Sequence, residues 1–394
     1  MIKITKPSLR HGGVLVSALT LMVFLASCSK QEMTSPAAVT TPVPTPVSTN
    51  IPKTPATIVV PDDNPMTAAK IELGRHLFFD KNLSVDNSTS CGSCHQVANG
   101  FSDIFPTSRG MQGQHGTRNA PALANIAYNT AFTWDGRFKS LEEHAPGPIF
   151  NSVEMGNNFS TTPQDTVPSG YNSGPGPNDT NFLFKRLNNR PESIQHKTYA
   201  DLFIAAWGDS KISMDRIAKS IATFERTFIS TQSTFDAFNN GDQTAYKYNP
   251  EALRGLQLFT DVNGANCVSC HSGYNFTDQK FHDNGIGINQ TGDKGRGDIV
   301  TNDPTLVGKF KTPSLRNVAL TAPYMHDGRF ATLDQVLASY NKGGVHPTSN
   351  TDPQIKPLNL SDQDIANIIE FLKTLTDNNF VADKAGKFTN PWDN

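Results

Sequence analysis

The chain has 394 residues, and its 34 Lys and Arg nearly balance its 36 Asp and Glu, which gives a formal net charge of −2. Only 18% of the residues are charged, below the usual share of about 25%. Basic residues are not in excess, so nucleic acid is disfavoured as a partner. The apolar share of 37% is too low for a protein that crosses a membrane many times. At about 100 to 200 residues per domain, the length predicts two domains after removal of a targeting segment.

The first 61 residues have the features of a leader and a tether. Basic residues precede the apolar run Val14–Leu25, which is too short to span a bilayer and is typical of a signal peptide. The following Ala-Ser-Cys28 resembles a bacterial lipoprotein box; an ordinary signal peptide with a chance cysteine is the alternative. We predict a signal peptide over 1–27, a lipid anchor at Cys28 on the periplasmic side of a membrane, and an extended Pro/Thr-rich tether over 28–61.

The remaining four cysteines form two Cys-x-x-Cys-His motifs, Cys91-Gly92-Ser93-Cys94-His95 and Cys267-Val268-Ser269-Cys270-His271. This is the spacing of c-type haem attachment, in which the thiols bind haem covalently and the adjacent histidine binds its iron. A zinc site is the alternative, but the first cysteines of the two pairs lie 176 residues apart and each pair precedes a His. A disulfide framework is disfavoured because a chain of this length does not need one. Two covalently bound haems are therefore predicted.

An internal repeat surrounds the two motifs. Three short patterns recur in the same order: Gly-x-x-Leu-Phe-x-Asp from Gly74 and Gly255, Pro-x-Leu-x-Asn-x-Ala from Pro121 and Pro313, and Asp-Gly-Arg-Phe-x-x-Leu from Asp135 and Asp327. The last two recur at the same offset of 192 residues. Three matches in order predict duplication of a haem domain, with one copy over 62–238 and the other over 239–394.

Apolar periodicity predicts a mainly α fold, with two cytochrome c-like haem domains and long loops. Residues 211–230 and 361–375 each place apolar side chains on one helical face, the second after a Ser361 cap. The segment from Asn157 to Asn181 is rich in Pro, Gly, Ser and Asn and lacks an apolar period, so it is predicted to be a loop. The stretch Asn239–Asp242 is the predicted junction between the domains.

Six further motifs lie between about residues 66 and 380. They are Arg118-Asn119-Ala120-Pro121, Trp134-Asp135-Gly136-Arg137, Gly147-Pro148, Val153-Glu154-Met155, Phe224-Glu225-Arg226-Thr227 and Tyr324-Met325-His326-Asp327-Gly328. With the two haem motifs, they resemble the bacterial di-haem cytochrome c peroxidases, the superfamily that includes the MauG enzymes. The resemblance implies that the C-terminal haem accepts electrons and that the N-terminal haem reduces hydrogen peroxide.

The resemblance also implies how the two haems communicate and what else the chain binds. Trp134 matches the family's Trp between the haems, and a small electron-donor protein, a c-type cytochrome or a cupredoxin, or another reductant is the expected partner. A calcium ion between the domains would use Asn119, Thr321 and Pro323, whose oxygens are the hard donors that calcium prefers. Turn capping by Asn119 and Thr321 is the alternative.

The resemblance assigns the peroxide site to Glu154, Pro148 and His144. Heterolytic cleavage of the O–O bond needs an open iron position and a group that moves a proton between the peroxide oxygens. Glu154 matches the family's acid/base residue, and burial should raise its pKa; a surface ion pair is the alternative. Pro148 matches a distal proline. His144 replaces the usual Gln, and a surface helix position is the alternative for it.

The family's inhibitory loop histidine is replaced by Met111 in this chain. His115 lies in the same Gly-rich loop and is the alternative ligand. We expect the first haem to be open at rest.

The repeat pairs Tyr340 with Pro148 at the 192-residue offset. Only the tyrosine offers a side-chain donor, and a phenolate oxygen is an established haem ligand. In the family, Tyr340 falls where peroxidases place Met and where MauG places Tyr. We therefore predict a six-coordinate second haem between His271 and Tyr340 and a five-coordinate first haem on His95. The alternative is that Tyr340 packs in the core and that Met325, or no residue, binds the iron.

Three functions are compatible with these residues. The favoured one is a di-haem peroxidase that reduces hydrogen peroxide to water outside the cytoplasm. A MauG-like oxidase of a protein or small molecule is the second, although Ala265 stands where MauG has the surface Trp of its protein-radical route. A plain dihaem electron carrier is the third; it would need two six-coordinate irons and would make Glu154 incidental.

Overall fold

The computed structural model describes residues 51–157, 180–193, 196–247, 249–288 and 292–393. These residues form a mainly helical structure with long loops, as the sequence predicts. In chain order the helices are α1 (Ala68–Phe79), α2 (Cys91–Cys94), α3 (Leu141–His144), α4 (Pro146–Phe150), α5 (Thr180–Asn188), α6 (Tyr199–Trp207), α7 (Met214–Glu225), α8 (Thr234–Asn239), α9 (Pro250–Thr260), α10 (Leu333–Asn341), α11 (Asp362–Lys373) and α12 (Asn378–Val381).

Short 3-10 turns and one antiparallel ladder complete the secondary structure of the described residues. The ladder pairs β1 (Phe281–His282) with β2 (Phe310–Lys311), and Phe281 lies opposite Lys311. The 3-10 turns are Lys81–Leu83, Val97–Asn99, Met111–Gly113, Ile126–Tyr128, Cys267–Ser269, Arg296–Asp298, Pro304–Leu306 and Val318–Leu320.

The predicted leader, Cys28 and most of the predicted loop over 157–181 lie outside the described residues. Within the part that the structure describes, no helix is both long and apolar enough to cross a bilayer.

The first hydrophobic core forms where α1 crosses α7. The Ser213 side chain caps α7 by accepting a hydrogen bond from the Arg216 amide, and the helix lies inside the predicted range 211–230. Gly74 allows the crossing, because a Cβ there would overlap the Ser220 carbonyl and the Cβ of Phe224. A glycine at this position therefore sets the close approach of the two helices.

The second core repeats this crossing with α9 and α11. Ser361 caps α11 by accepting a hydrogen bond from the Asp364 amide, which confirms the predicted cap. Gly255 lies against the Asn367 carbonyl and the Cβ of Phe371, as Gly74 lies against α7. The repeated Gly-x-x-Leu-Phe motif therefore marks the same helix crossing in both halves.

Segments near both ends of the described chain join these cores. Ile51, which lies within the predicted tether, is buried in the second core, although most of residues 52–63 are exposed. Phe380 and Phe388 follow the second haem motif in sequence but are buried in the first core. The Trp392 indole donates a hydrogen bond of 2.9 Å to the His76 carbonyl on α1. The C-terminal segment therefore packs against the first core.

Candidate functional site

The first Cys-x-x-Cys-His motif begins with the short helix α2. A reciprocal pair of hydrogen bonds between Ser90 and Ser93 caps this helix. His95 Nδ1 lies 2.9 Å from the Phe101 carbonyl, which orients the ring and leaves Nε2 as the nitrogen that can bind iron. Burial lowers the pKa of His95 and raises that of Cys94 to about 12. The imidazole is therefore neutral, as iron ligation requires.

The second motif has the same local design. Cys267–Ser269 forms a 3-10 turn, and His271 Nδ1 lies 2.9 Å from the Phe276 carbonyl. Burial lowers the pKa of His271 and raises that of Cys267 to about 12. In both motifs the thiols are free of disulfides, so they are available for thioether bonds.

A large cavity of about 2120 Å³, including its open mouth, adjoins the second motif. Apolar side chains such as Leu333, Leu337 and Leu372 form much of its wall, with Cys267, Cys270, His271, Met325 and Tyr340 also among its lining residues. Two thiols, one oriented imidazole and an apolar wall are the groups that hold a c-type haem.

Tyr340 and Met325 meet at one side of this cavity. The amide of Asn284 lies 3.2 Å from the Tyr340 hydroxyl oxygen, to which it donates a hydrogen bond, and 3.6 Å from the Met325 sulfur. Burial raises the pKa of Tyr340, while the Asn284 contact opposes the shift. The structure thus places both candidate axial ligands in the cavity and adds Asn284, which the sequence analysis did not find because no motif contains it.

The helix that carries Tyr340 and the short helix that precedes Pro148 begin in matching positions. Ser140 caps α3 and Thr332 caps α10, again 192 residues apart. In the second half α10 continues without a break through Tyr340, whereas in the first half Pro146 begins a separate helix, α4, which contains Pro148. Proline cannot donate the backbone hydrogen bond of a helix interior, which accounts for the break.

Trp134 lies where the two halves of the chain meet. Its indole donates a hydrogen bond of 2.9 Å to the Asn119 carbonyl, and its own carbonyl accepts one of 2.8 Å from the Lys311 amide. The backbone amide of Asn119 donates a hydrogen bond of 2.8 Å to the carbonyl of His326. At the 192-residue offset, Asn119 corresponds to Lys311 and Trp134 to His326. The bond from Lys311 to Trp134 and the bond from Asn119 to His326 therefore join equivalent positions of the two halves. The contacts of Trp134 fix it beside the cavity.

An ion-pair network holds the same junction together. The Arg118 guanidinium donates two hydrogen bonds, of 2.6 and 2.7 Å, to Asp293 from the second half and one of 2.5 Å to Asp135 from the first. Arg296 adds hydrogen bonds to the carbonyls of Asp135 and Gly136. The neighbouring guanidinium groups lower the pKa values of both carboxyl groups, so the pairs are ionised at neutral pH.

Glu154 lies beside the first haem motif. Its charge raises the pKa values of the Cys91 and Cys94 thiols, and its Oε1 accepts a hydrogen bond of 3.0 Å from the Asn151 amide. Burial raises the pKa of Glu154 to about 7, opposed only by the charge of Arg137. A carboxyl group with this pKa can both take up and release a proton near neutral pH.

His144 is buried rather than exposed on a surface helix. Its Nδ1 atom has no hydrogen-bond partner in the part of the chain that the structure describes. Burial and the nearby His95 lower its pKa to about 4, so the ring is neutral. It lines the large cavity together with Trp134 and Phe132.

His115 and Met111 both lie in the Gly-rich loop. His115 is exposed, and its Nδ1 lies 3.3 Å from the Thr107 carbonyl. The Met111 side chain packs against Gly156, and its amide donates to the Val153 carbonyl at 3.0 Å. Met111 rather than His115 therefore lies next to the segment that carries Glu154.

The three residues of the predicted calcium site line the large cavity. The Asn119 side-chain nitrogen donates a hydrogen bond of 3.0 Å to the Phe105 carbonyl, which leaves its side-chain oxygen as the donor atom available to a cation. The bond between Ala322 and Pro323 is cis. Among the described residues, no cluster of three His, Cys, Asp or Glu side chains is placed to hold a metal ion.

The fold and these sites define a c-type cytochrome with two covalent haem sites. Comparison with known proteins gives the family: residues 68–244 match the model for di-haem cytochrome c peroxidase, and residues 252–376 match the model for cytochrome c.

Similar proteins cover most of the chain. A MauG protein from Methylorubrum extorquens is 36% identical across 82% of each chain, and cytochrome c551 peroxidase from Nitrosomonas europaea is 32% identical across 91% of each. A crystal structure of a MauG-like protein associated with microbial copper homeostasis covers 88% of this chain and 100% of its own, with 31% identity and a TM-score of 0.74. The chain belongs to the di-haem cytochrome c peroxidase and MauG family. It is an oxidoreductase that carries two c-type haems.

Proposed function

We propose that this enzyme reduces hydrogen peroxide to water at the first haem, with electrons that arrive through the second. The observation that carries the proposal is Glu154, a carboxyl group with a pKa of about 7 beside Cys91 and Cys94. Pro148, at the position equivalent to Tyr340, offers no side-chain donor to the first iron. With haem bound to His95, this combination would leave an iron position without a side-chain ligand and would supply a proton-transfer group beside the haem motif.

The chain's own residues account for the proton transfer and the exclusion of water. Haem iron supplies the redox chemistry when bound to His95. Glu154 would take the proton from the inner peroxide oxygen and return it to the outer one, which then leaves as water. Asn151 orients the Glu154 carboxyl group. His144 is neutral and has an unpartnered Nδ1, so it would position peroxide by hydrogen bonding without adding charge.

The electron route would run from His271 and its haem, past Trp134, to the haem on Cys91 and Cys94. Trp134 supports this route because hydrogen bonds from both halves of the chain fix it beside the cavity. A small electron-donor protein would reduce the second haem. Calcium at Asn119, Thr321 and Pro323 would hold the two halves in register.

A MauG-like oxidation of another substrate is the second candidate function. Tyr340 favours it, because an anionic oxygen ligand stabilises oxidised iron more than a Met sulfur does. The Tyr340 oxygen accepts a hydrogen bond from Asn284 at the large cavity beside the second haem motif. In this case the oxidising equivalents generated with peroxide would leave through the second half rather than be quenched by a donor.

The remaining proposals concern placement of the chain. We infer that residues 62–238 carry the peroxidatic haem and residues 239–394 the electron-transfer haem. The predicted leader over 1–27 and lipidated Cys28 would place the enzyme on the periplasmic side of a membrane, with the tether starting at residue 28.

One spectroscopic experiment tests the proposed function. The ferric protein should show one high-spin and one low-spin haem, and anaerobic addition of hydrogen peroxide should oxidise it without prior reduction. Steady-state assays with a reduced cytochrome c and then with an organic substrate would separate the two candidate functions. Two low-spin haems with no response to peroxide would identify an electron carrier and refute the proposal.

A further inference from the structure

Glu225 introduces a carboxyl group into the first half where the second half has leucine. Gly74 lies against Phe224 on α7 in the same way as Gly255 lies against Phe371 on α11. These contacts make α7 equivalent to α11 and Phe224 equivalent to Phe371. The next residues in these helices are Glu225 and Leu372. Leu372 lines the cavity of the second haem site. Glu225 therefore occupies the equivalent place at the first haem site.

Electrostatics place Glu225 near the first haem motif independently of the repeat. Its charge raises the pKa of the Cys91 thiol. The equivalent thiol, Cys267, has its pKa raised by burial and by Cys270, with no carboxyl group of the described residues contributing. A carboxyl group at this position is thus a feature of the first haem site, whereas at the second site Asp278 and Asp352 act on the other thiol, Cys270.

Glu225 is buried without a compensating partner. It is 4% exposed, and its Oε2 has no hydrogen-bond partner within the described residues. An ionised carboxylate in this setting is destabilised by desolvation. Burial accordingly raises the pKa of Glu225 to about 8.

The charged groups around Glu225 do not neutralise it. Arg226, the next residue on α7, donates two hydrogen bonds of 2.7 and 2.8 Å to Glu142 on α3. Arg226 lowers the pKa of Glu225 and Glu142 raises it, so the two effects oppose each other. Cys91 on α2 is the third titratable group near it, and α1, which also packs on α7, contributes no charge that shifts its pKa. Burial is the main influence on this carboxyl group.

We propose that Glu225 takes up a proton when the first haem is reduced and releases it when that haem is oxidised. The iron gains one electron from the second haem or another reductant, and the Glu225 carboxylate gains one proton from water. The added electron makes the site more negative, so it increases the proton affinity of a nearby buried carboxylate. The inference requires haem at Cys91 and Cys94 and goes beyond peroxide reduction, on which it does not depend.

The proposal predicts a pH-dependent midpoint potential for the first haem. Where one proton accompanies one electron, the potential falls by about 59 mV for each unit of pH. This is because 59 mV corresponds to a tenfold change in the equilibrium constant of a one-electron couple. This slope should extend through the pH range around the Glu225 pKa of about 8. It should flatten where the carboxyl group is protonated, or ionised, in both redox states.

Spectroelectrochemistry of the haem-loaded full chain measures this slope. Glu225→Gln should remove the slope, and Glu225→Leu, which installs the residue found at position 372, should do the same if the glutamine variant fails to mature. Glu154→Gln separates the two carboxyl groups near this haem: the slope around pH 8 should remain in it, because Glu154 has a lower pKa, about 7, and does not shift the pKa of Glu225. Glu192→Gln, which removes an exposed carboxyl group, is the matched control and should leave the slope unchanged. A slope around pH 8 that is as steep in both Glu225 variants as in the parent protein, or that is lost only in Glu154→Gln, would overturn the proposal.

Infrared difference spectra give a second readout. Reduction of the parent protein should produce a protonated carboxyl signal that shifts in heavy water and is missing in Glu225→Gln. A signal that persists in this variant would also overturn the proposal. Neither measurement uses peroxide turnover, so an inactive enzyme with a Glu225-dependent slope would refute the proposed function and leave this inference standing.

Discussion

The replacement Glu154→Gln probes the proton-transfer step most directly. The amide keeps the shape of the side chain and the contact with Asn151, but it cannot take a proton from peroxide. General acid/base groups contribute about 10² to 10⁴ in rate. Peroxide turnover should therefore fall by at least about 10²-fold, while both haems remain attached.

The pH dependence of the reaction with peroxide gives a second expected magnitude. Because the Glu154 pKa is about 7, roughly one carboxyl group in ten is ionised at pH 6 and roughly nine in ten at pH 8. The ionised form is the one that accepts the peroxide proton. The second-order rate constant for peroxide should therefore rise roughly ninefold from pH 6 to pH 8 in the parent protein, and Glu154→Gln should lack this rise.

Stopped-flow mixing of the ferric protein with hydrogen peroxide measures both effects. Glu192→Gln is a matched control, because Glu192 is an exposed carboxyl group and its loss should change neither the rate nor the profile. If Glu154→Gln reacted at the parent rate with the parent pH profile, Glu154 would not be the proton-transfer group.

Three further replacements test the second haem, the bridge and the junction. Tyr340→Phe should abolish the low-spin ferric signal of the second haem, whereas Asn284→Ala should only shift it; an unchanged signal in Tyr340→Phe would exclude tyrosine ligation. Trp134→Ala should slow electron transfer between the haems in stopped-flow experiments without altering peroxide binding, and equal rates would remove it from the route. Arg118→Met should lower the free energy of unfolding by about 3 kcal/mol, because it removes the cation that Asp135 and Asp293 share and leaves Asp135 only its pairing with Arg137. The pKa values of these carboxyl groups are lower in the folded protein than in the unfolded chain. The loss of stability in Arg118→Met should therefore be greatest above the unfolded pKa of about 3.8 and should shrink as pH falls below it. Denaturant unfolding that shows no loss of stability at pH 7 would contradict this role of Arg118.

Local patterns determined much of the fold before any tertiary contact was known. The Cys-x-x-Cys-His spacing identified both haem sites because covalent attachment requires two thiols and an adjacent imidazole. Periodicity located α7 and α11, since a helix packed on one side must repeat its apolar residues. The repeated Gly-x-x-Leu-Phe motif marked a crossing that only glycine permits.

The resemblance extended this reading to single residues, but only for those inside motifs. It selected Glu154 and Trp134, and the structure places the first beside Cys91 and the second against Lys311. It could not decide whether His144 is exposed, because a four-residue helix has too little periodicity to define a buried face. The packed structure shows that His144 is buried.

Tertiary structure alone brought together residues that are far apart in the chain. Asn284 lies 56 positions before Tyr340, yet its amide contacts the hydroxyl oxygen. Phe388 fills the first core from the end of the chain, although nothing in its local sequence distinguishes one core from the other. Glu225 was part of a recognised motif, but its buried, unpartnered state depends on the crossing of α1 and α7. The sequence by itself determined the covalent chemistry and the helices, because these follow from neighbouring residues. The environments that set proton affinity, and the packing of Asn284 against Tyr340 and Met325, depend on long-range contacts that only the tertiary structure supplies.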